Sequence, residues 1–393
     1  MSANTDTAGT VSIGGSGGLV LAASSVAGTY SATATNGNIT DLGVIAVAGT
    51  SSFTTSADDA TITLDQVNVL AGAITITTNG TVGHASIDNG TTTLDVAAST
   101  IDGNLTLTSG ATAGITDSGT VTVSGNLTAI TDASNGLVNL GTLAVNGTVA
   151  VNTNGNGAAT LVNDDGLNLA ASNVGGVLAA TATDGNITDT GALTVAGTSV
   201  FTTATNSKNI ILDAANAFTG GVTYKSQAGG DGVFVNVTFK NAGNVKLHTD
   251  GNAGGDLFID ANTAGAVGGI LTVTSTTGNI TQTQLLTVGG ASSFRTLATE
   301  KDITLGLVNA LTGDVTFTTS GETGDVVIDN GVTALKVGAS VITGNLTLTS
   351  GATAGITDTG AVSVAGNLSA ITDANNGLVN LGTLAVNGTV AVN

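Results

Sequence analysis

His84 and His248 are the only histidines in this 393-residue chain, and cysteine is absent. Nucleophilic catalysis needs an imidazole held by an oriented carboxylate beside the nucleophile. The two histidines lie in unrelated stretches, and no spacing brings either to a serine, so both read as solvated strand or turn residues. Acids are more plentiful: 25 of the 27 are aspartate, including Asp58-Asp59, Asp164-Asp165, Asp184 with Asp189, and Asp256 with Asp260. Calcium suits such oxygen-rich turns, but aspartate as a turn former accounts for most of these positions without a metal. No catalytic residue, cofactor site or metal ligand is therefore nominated, and calcium is the one ion the composition would suit.

Three patterns carry further chemical readings. The run Gly254-Gly-Asp-Leu-Phe-Ile-Asp260 shares part of a calcium-binding nonapeptide but lacks its tandem copies and full glycine spacing. Twelve Asn-x-Ser/Thr sequons occur, among them Asn38, Asn104, Asn126, Asn186, Asn279 and Asn345. Asn closing a turn and Thr entering a strand two residues later explains them without glycosylation. Thr75/Thr77, Thr106/Thr108, Thr272/Thr274, Thr316/Thr318 and Thr347/Thr349 make Thr-x-Thr pairs with the residue between pointing inward. A flat ladder of such pairs is the pattern of ice-binding solenoids. Rungs 50–72, 126–147 and 198–220 interrupt it, and exposed strands favour Thr in any case.

The elements that position these residues are repeats. Gly103 to Asn152 recurs as Gly344 to Asn393 with six changes in fifty residues, none at a large apolar position. Aligning 104–125 with 126–147 yields an elementary period of about 22 residues. Short period-2 segments such as Leu105-Thr-Leu107, Val121-Thr-Val123 and Leu143-Ala-Val145 are broken by Gly, Asn and Asp, which signals strands and turns. Glycine and β-branched residues dominate and no 3.6-residue apolar face persists, which excludes helix as the main element. Three short strands per period make one rung of a parallel β-helix.

The expected fold is all-β: a right-handed parallel β-helix (β-solenoid) with rungs of 21–31 residues, right-handed by the crossover preference of parallel strands. Sixteen rungs at the strand spacing would reach roughly 75 Å. Residues 1–393 read as a single continuous solenoid, a segment of a longer array, with super-repeats 1–152 and 242–393 around intervening rungs 153–241. The long rungs 73–103 and 314–344 carry Ile-Asp-Asn-Gly at 87–90 and 328–331, read as turns, and their extra residues are expected to protrude. A propeller or a membrane barrel fits worse, since ten aromatics cannot supply a barrel's girdles.

Composition narrows the function classes. With 41% hydrophobic residues and a mean hydropathy of +0.39, the chain is not disordered. Net charge is −20, and all seven cations, from Lys208 to Lys336, lie in the second half. Such a polyanion repels nucleic acid and anionic lipid heads, so neither is expected as a partner, and no apolar run is long enough for a membrane helix. The N-terminus shows neither a basic n-region nor an apolar h-region of a signal peptide. Met1 is the only methionine, which reads as an initiator added to an excised segment.

The phrases Gly185-Asn-Ile-Thr-Asp-Thr-Gly-Ala-Leu-Thr-Val-Ala-Gly197, Gly37-Asn-Ile-Thr-Asp-Leu-Gly43 and Ala113-Gly-Ile-Thr-Asp-Ser-Gly119 resemble the repeat regions of large bacterial haemagglutinin-type exoproteins and adhesins, filamentous haemagglutinin-like. The resemblance covers essentially the whole chain through its repeat texture. It implies a secreted, extracellular bacterial surface protein whose long β-helix mediates attachment, and it carries over no binding residue. The expectation is a shaft or filament body. Its partners would be a host or neighbouring cell surface, a polysaccharide, or further copies end to end. A self-assembling fibre or surface-layer subunit is the competing reading. Pectate-degrading β-helices are the enzyme precedent, but they pair clustered acids with basic residues near a cleft, and the cation-free first half offers no such pairing; the chain is not expected to be an enzyme. The less repetitive stretch 221–269, with Lys225, Lys240, Lys246 and His248, is the expected place for anything specific.

Overall fold

The computed structural model describes residues 1–5, 9–226, 234–247, 256–260 and 266–393, apart from the side chains of Asp256 and Asp260. Among these residues there is no helix, and so none long and apolar enough to cross a membrane. Parallel strands stack as β-solenoid turns, about 17 in all. The chain divides into two compact units, Met1–Asp184 with Leu193–Gly197, and Gly185–Ala192 with Thr198–Asn393.

The first unit begins as a three-sided coil. One face stacks Val11–Gly15, Tyr30–Ala34, Ser51–Asp58 and Ile74–Asn79. A second stacks Leu19–Leu21, Ile39–Asp41, Ile62–Leu64, Ala85–Asp88 and Leu105–Ser109. The third stacks Asn4–Thr5, Ser24–Val26, Ile45–Val47 and Val69–Leu70. Alternation along each strand sends one residue in two to the interior: Leu105 and Leu107 are buried while Thr106 and Thr108 face out. Phe53, Phe201 and Phe294, which occupy one repeat position, are all fully buried in their units. With few aromatics, the interior is otherwise Ile, Leu and Val at regular spacing.

Corners are fixed by short polar residues. Buried Thr55, Thr78 and Thr131 each donate Oγ1 to a carbonyl five residues on, at Ala60, Gly83 and Gly136. Glycines at the ends of rungs stack directly: Gly125 N–H donates to Gly103 and Gly147 N–H to Gly125, and a Cβ on Gly125 would lie 2.7 Å from the Gly103 oxygen. That close approach is why these rungs end in glycine.

The long rung 73–103 does not carry a protruding loop. Its 31 residues hold four stacked strands, Ile74–Asn79, Ala85–Asp88, Leu94–Val96 and Ser99–Ile101. Leu94–Val96 and Ser99–Ile101 lie end to end over Ile74–Asn79, in register at Ile74 with Val96 and at Thr77 with Thr100. The third face ends at Leu70, where a side chain stands in for the next strand. Asn89, fully buried, accepts the Leu70 N–H through Oδ1 at 2.8 Å and returns Nδ2 to the Leu70 carbonyl at 3.0 Å. An amide side chain carries the same donor and acceptor as a peptide group, so it closes the sheet edge without a strand. The chain then re-enters on the first face. Thereafter two short strands share that face, and the same sequence falls on a different side: Ile39–Asp41 lies on the second face and Ile115–Asp117 on the first.

The second unit repeats the device. Its third face, Ala266–Val267, Thr287–Val288 and Ala310–Leu311, closes on Asn330, which takes the Leu311 N–H at 2.8 Å and gives Nδ2 to its carbonyl at 3.0 Å. Leu335–Val337 and Ser340–Ile342 then lie over Asp314–Ser320. Here too the residues expected to protrude are part of the stack.

Candidate functional site

Many of the sequon asparagines form files at corners, one file in the first unit and two in the second, where Asn186 opens one face and Asn279 and Asn345 another. In the first, Asn38 Oδ1 accepts the Thr61 N–H at 2.9 Å, Asn104 accepts Asn126 and Asn126 accepts Thr148, both at 2.8 Å. In the second, Asn186 accepts Asn209, Asn279 accepts Asp302 and Asn345 accepts Asn367. Each amide oxygen thus ties one turn to the next. The Asn-x-Thr spacing follows: Asn holds the corner and Thr faces out from the strand that begins there.

His84 stands in this file and is not a free turn residue. Its Nδ1 accepts the Asn104 N–H at 2.8 Å, so in the neutral ring the proton sits on Nε2 and points outward. Gly103 is needed beside it, because a Cβ there would collide with Nδ1. At the equivalent place in the second copy stands Asp325, whose Oδ1 accepts both the Asn345 N–H and its Nδ2, at 2.7 and 3.1 Å. His248 lies outside the described residues, as do the side chains of Asp256 and Asp260 and the glycines before them.

The aspartates divide by burial. Asp58, Asp164, Asp165 and Asp184 are exposed, and Asp59, in a left-handed turn at φ 63°, accepts the Val82 N–H. Asp41 and Asp189 are only 5% and 8% exposed. Asp41 accepts the N–H of Asp65 at 3.0 Å and Nδ2 of Asn68 at 2.8 Å. Asp189 does the same with Asp213 and Asn216. Burial pushes both carboxyls above their ordinary value, and the hydrogen bonds from Asn68 or Asn216 and the following N–H groups offset part of that. At Asp358 burial, the largest single influence, pushes the carboxyl up, but the hydrogen bonds from Thr383 Oγ1 and the N–H groups of Gly382 and Thr383 together outweigh it, and the carboxyl is lowered. Among the described residues no three acids or histidines come together to hold a metal ion.

A pH dependence follows. A carboxyl with a raised folded pKa binds protons more readily when folded, so Asp41 and Asp189 add stability as pH falls toward the ordinary carboxyl range and withdraw it as pH rises through the raised value. Asp358 acts with the opposite sign, its contribution lost as pH falls through its lowered value. At the position matching Asp41 in the second copy, Gln282 makes a reciprocal amide pair with Asn309, at 2.9 and 3.0 Å. Asp41→Gln is therefore expected to stay within about 1 kcal/mol of the parent at pH 7 and to flatten the gain in urea midpoint on acidification. An unchanged pH profile would refute this assignment.

The threonine pairs do not form one ladder. Thr75 and Thr77 lie on the first face of the first unit, in register with Ser52 and Thr54 of the rung expected to interrupt them. Thr106 lies on the second face, in line with Ser86 and Thr128. In the second unit Arg295 stands between Thr274 and Thr318. The change of face at Asn89 separates pairs that look continuous in sequence.

On the second face of the first unit, Thr61, Thr63, His84, Ser86, Asn104 and Thr106 line a shallow groove of about 320 Å3. The repeat family described as repeats of unknown function (DUF5649) matches residues 8–77, 82–136, 156–225, 235–318 and 323–393. The chain belongs to this family. Its DUF5649 repeats restart at 82 and at 323, three residues before the strands Ala85–Asp88 and Val326–Asp329, so equivalent positions open a repeat in both copies. No curated protein and no solved structure matches the chain.

Proposed function

We propose that this DUF5649 chain is a structural shaft of a secreted bacterial surface adhesin of the haemagglutinin type, extracellular and non-catalytic, which projects more distal binding regions toward a cell surface or polysaccharide. The observation that carries the reading is the continuity of hydrogen bonding from turn to turn within each unit. Backbone ladders on every face are joined at the corners by stacked glycines and by files of Asn, Asp and His side chains. Tension along such a stack is shared by all bonds of a turn, which suits a spacer. The acidic composition supports solubility of so apolar a repeat.

Electron microscopy of the purified chain tests the reading. Isolated, unbranched short rods are expected at all concentrations. Ordered fibres with a repeat of one chain length would instead identify a self-assembling subunit.

A further inference from the structure

The geometry points to a binding site for a neutral, extended β-linked glycan in the groove around His84, on the second face of the first unit. This inference does not depend on the shaft reading, since groove occupancy and particle form are read by different measurements.

The groove crosses consecutive turns. Thr63, Ser86 and Thr106 follow one another in register, their hydroxyls facing out. Beside them His84 presents Nε2–H, because Nδ1 is spent on the Asn104 backbone. Asn104 uses Oδ1 for the next turn, and among the described residues its Nδ2 has no protein acceptor. The edge therefore offers fixed donors and the floor offers hydroxyls that both donate and accept. None of the lining side chains is a carboxylate, lysine or arginine, although the chain carries a net charge of −20. A neutral ligand rich in hydroxyls matches that set; an anion would find no cation there.

The second copy shows that these donors are not demanded by the fold. Thr61, His84 and Ser86 are replaced by Asp302, Asp325 and Val327, in the same register between Thr304 and Thr347. There Asp325 consumes Nδ2 of Asn345, Val327 removes the central hydroxyl, and two carboxylates line the edge. The scaffold tolerates both versions, so the open polar one in the first unit is a difference of surface and not of folding.

Spacing selects the shape of the ligand. Equivalent groups recur at the strand separation of about 4.8 Å, close to the advance per sugar in an extended β-linked chain, so successive rings would meet successive turns. The groove has no aromatic platform, and affinity per site should be weak, about millimolar, with useful attachment arising from multiple copies.

The test uses the full chain with chitohexaose and cellohexaose as neutral probes and hexagalacturonate as the charged comparator. Saturation transfer from protein to a neutral hexamer is expected, with the His84 imidazole signals shifting on titration. The variant T61D/H84D/S86V reproduces the second copy, including a carboxylate acceptor for Asn104, and should weaken binding by about tenfold or more without altering thermal unfolding. Ser86→Val alone should weaken it several-fold, and serves if the triple variant folds poorly. The inference is overturned by absence of transfer to both neutral hexamers at about 10 mM, by equal binding in the folded variants, or by hexagalacturonate binding as well as the neutral probes.

Discussion

Replacing Asn89 with leucine is expected to destabilise the first unit by roughly 3–5 kcal/mol. The residue is fully buried, and its Nδ2 serves the carbonyls of Leu70, Thr92 and Thr93 at 3.0, 3.3 and 2.8 Å while Oδ1 holds the Leu70 N–H. Leucine has similar bulk but leaves all four backbone groups without their partner at the point where a sheet ends. An unpaired buried peptide group costs about 1–3 kcal/mol, and partial hydration of the opened corner recovers some of the sum. Tyr30 reports the first unit, so the shift is read from its emission during urea unfolding in a Tyr224→Phe background. Asn330→Leu should behave alike in the second unit, where Nδ2 serves Leu311, Thr333 and Ala334. A loss below about 1 kcal/mol would mean that water replaces the amide easily and that the strand substitute is dispensable.

Phe201→Ala should cost the second unit about 3–5 kcal/mol. Its ring, fully buried, stands edge-on to Phe218 and Tyr224 with centroids 5.9 and 5.8 Å away, and Tyr224 in turn meets Phe239 at 5.9 Å. Removing the central ring opens a cavity that neighbouring turns cannot fill, because their backbones are pinned at the ladder spacing. Phe53→Ala, which loses a single tilted contact with Tyr30, should cost less by about 0.5–1.5 kcal/mol. Urea midpoints followed through Tyr224 and Tyr30 compare the two, and equal losses would show that the aromatic cluster adds nothing beyond volume.

The period, the glycine at each rung end and the inward alternation were legible because each is a local constraint that recurs. The change of face at Asn89 was not. Ile-Asp-Asn-Gly reads as a turn in any local scheme, and only the burial of Asn89 against a strand edge four rungs into the coil reveals its second use. A signal is nevertheless present: Leu94-Asp-Val96 and Ser99-Thr-Ile101 carry period-2 alternation inside the long rung whose extra residues are expected to protrude. His84 likewise reads as a solvated turn residue, since its partner Asn104 is twenty positions away and bonded through the backbone. Comparison with Asp325, one super-repeat later, marks the position as one where the copies part. The threonine pairs mislead for the same reason as the long rung, because residues at equal repeat positions need not share a face once a turn has slipped.

Hydrogen exchange across residues 94–101 tests the stacked arrangement most directly. Leu94 and Ser99 N–H donate to Gly114 and Thr120, and Ala97 N–H to Ile74, each within 3.0 Å. These amides should be protected to the same degree as those of Leu105–Ser109, with opening energies typical of core strands. Exchange on the timescale of an open loop, while Leu105–Ser109 stays protected, would contradict the four-strand rung and with it the role of Asn89.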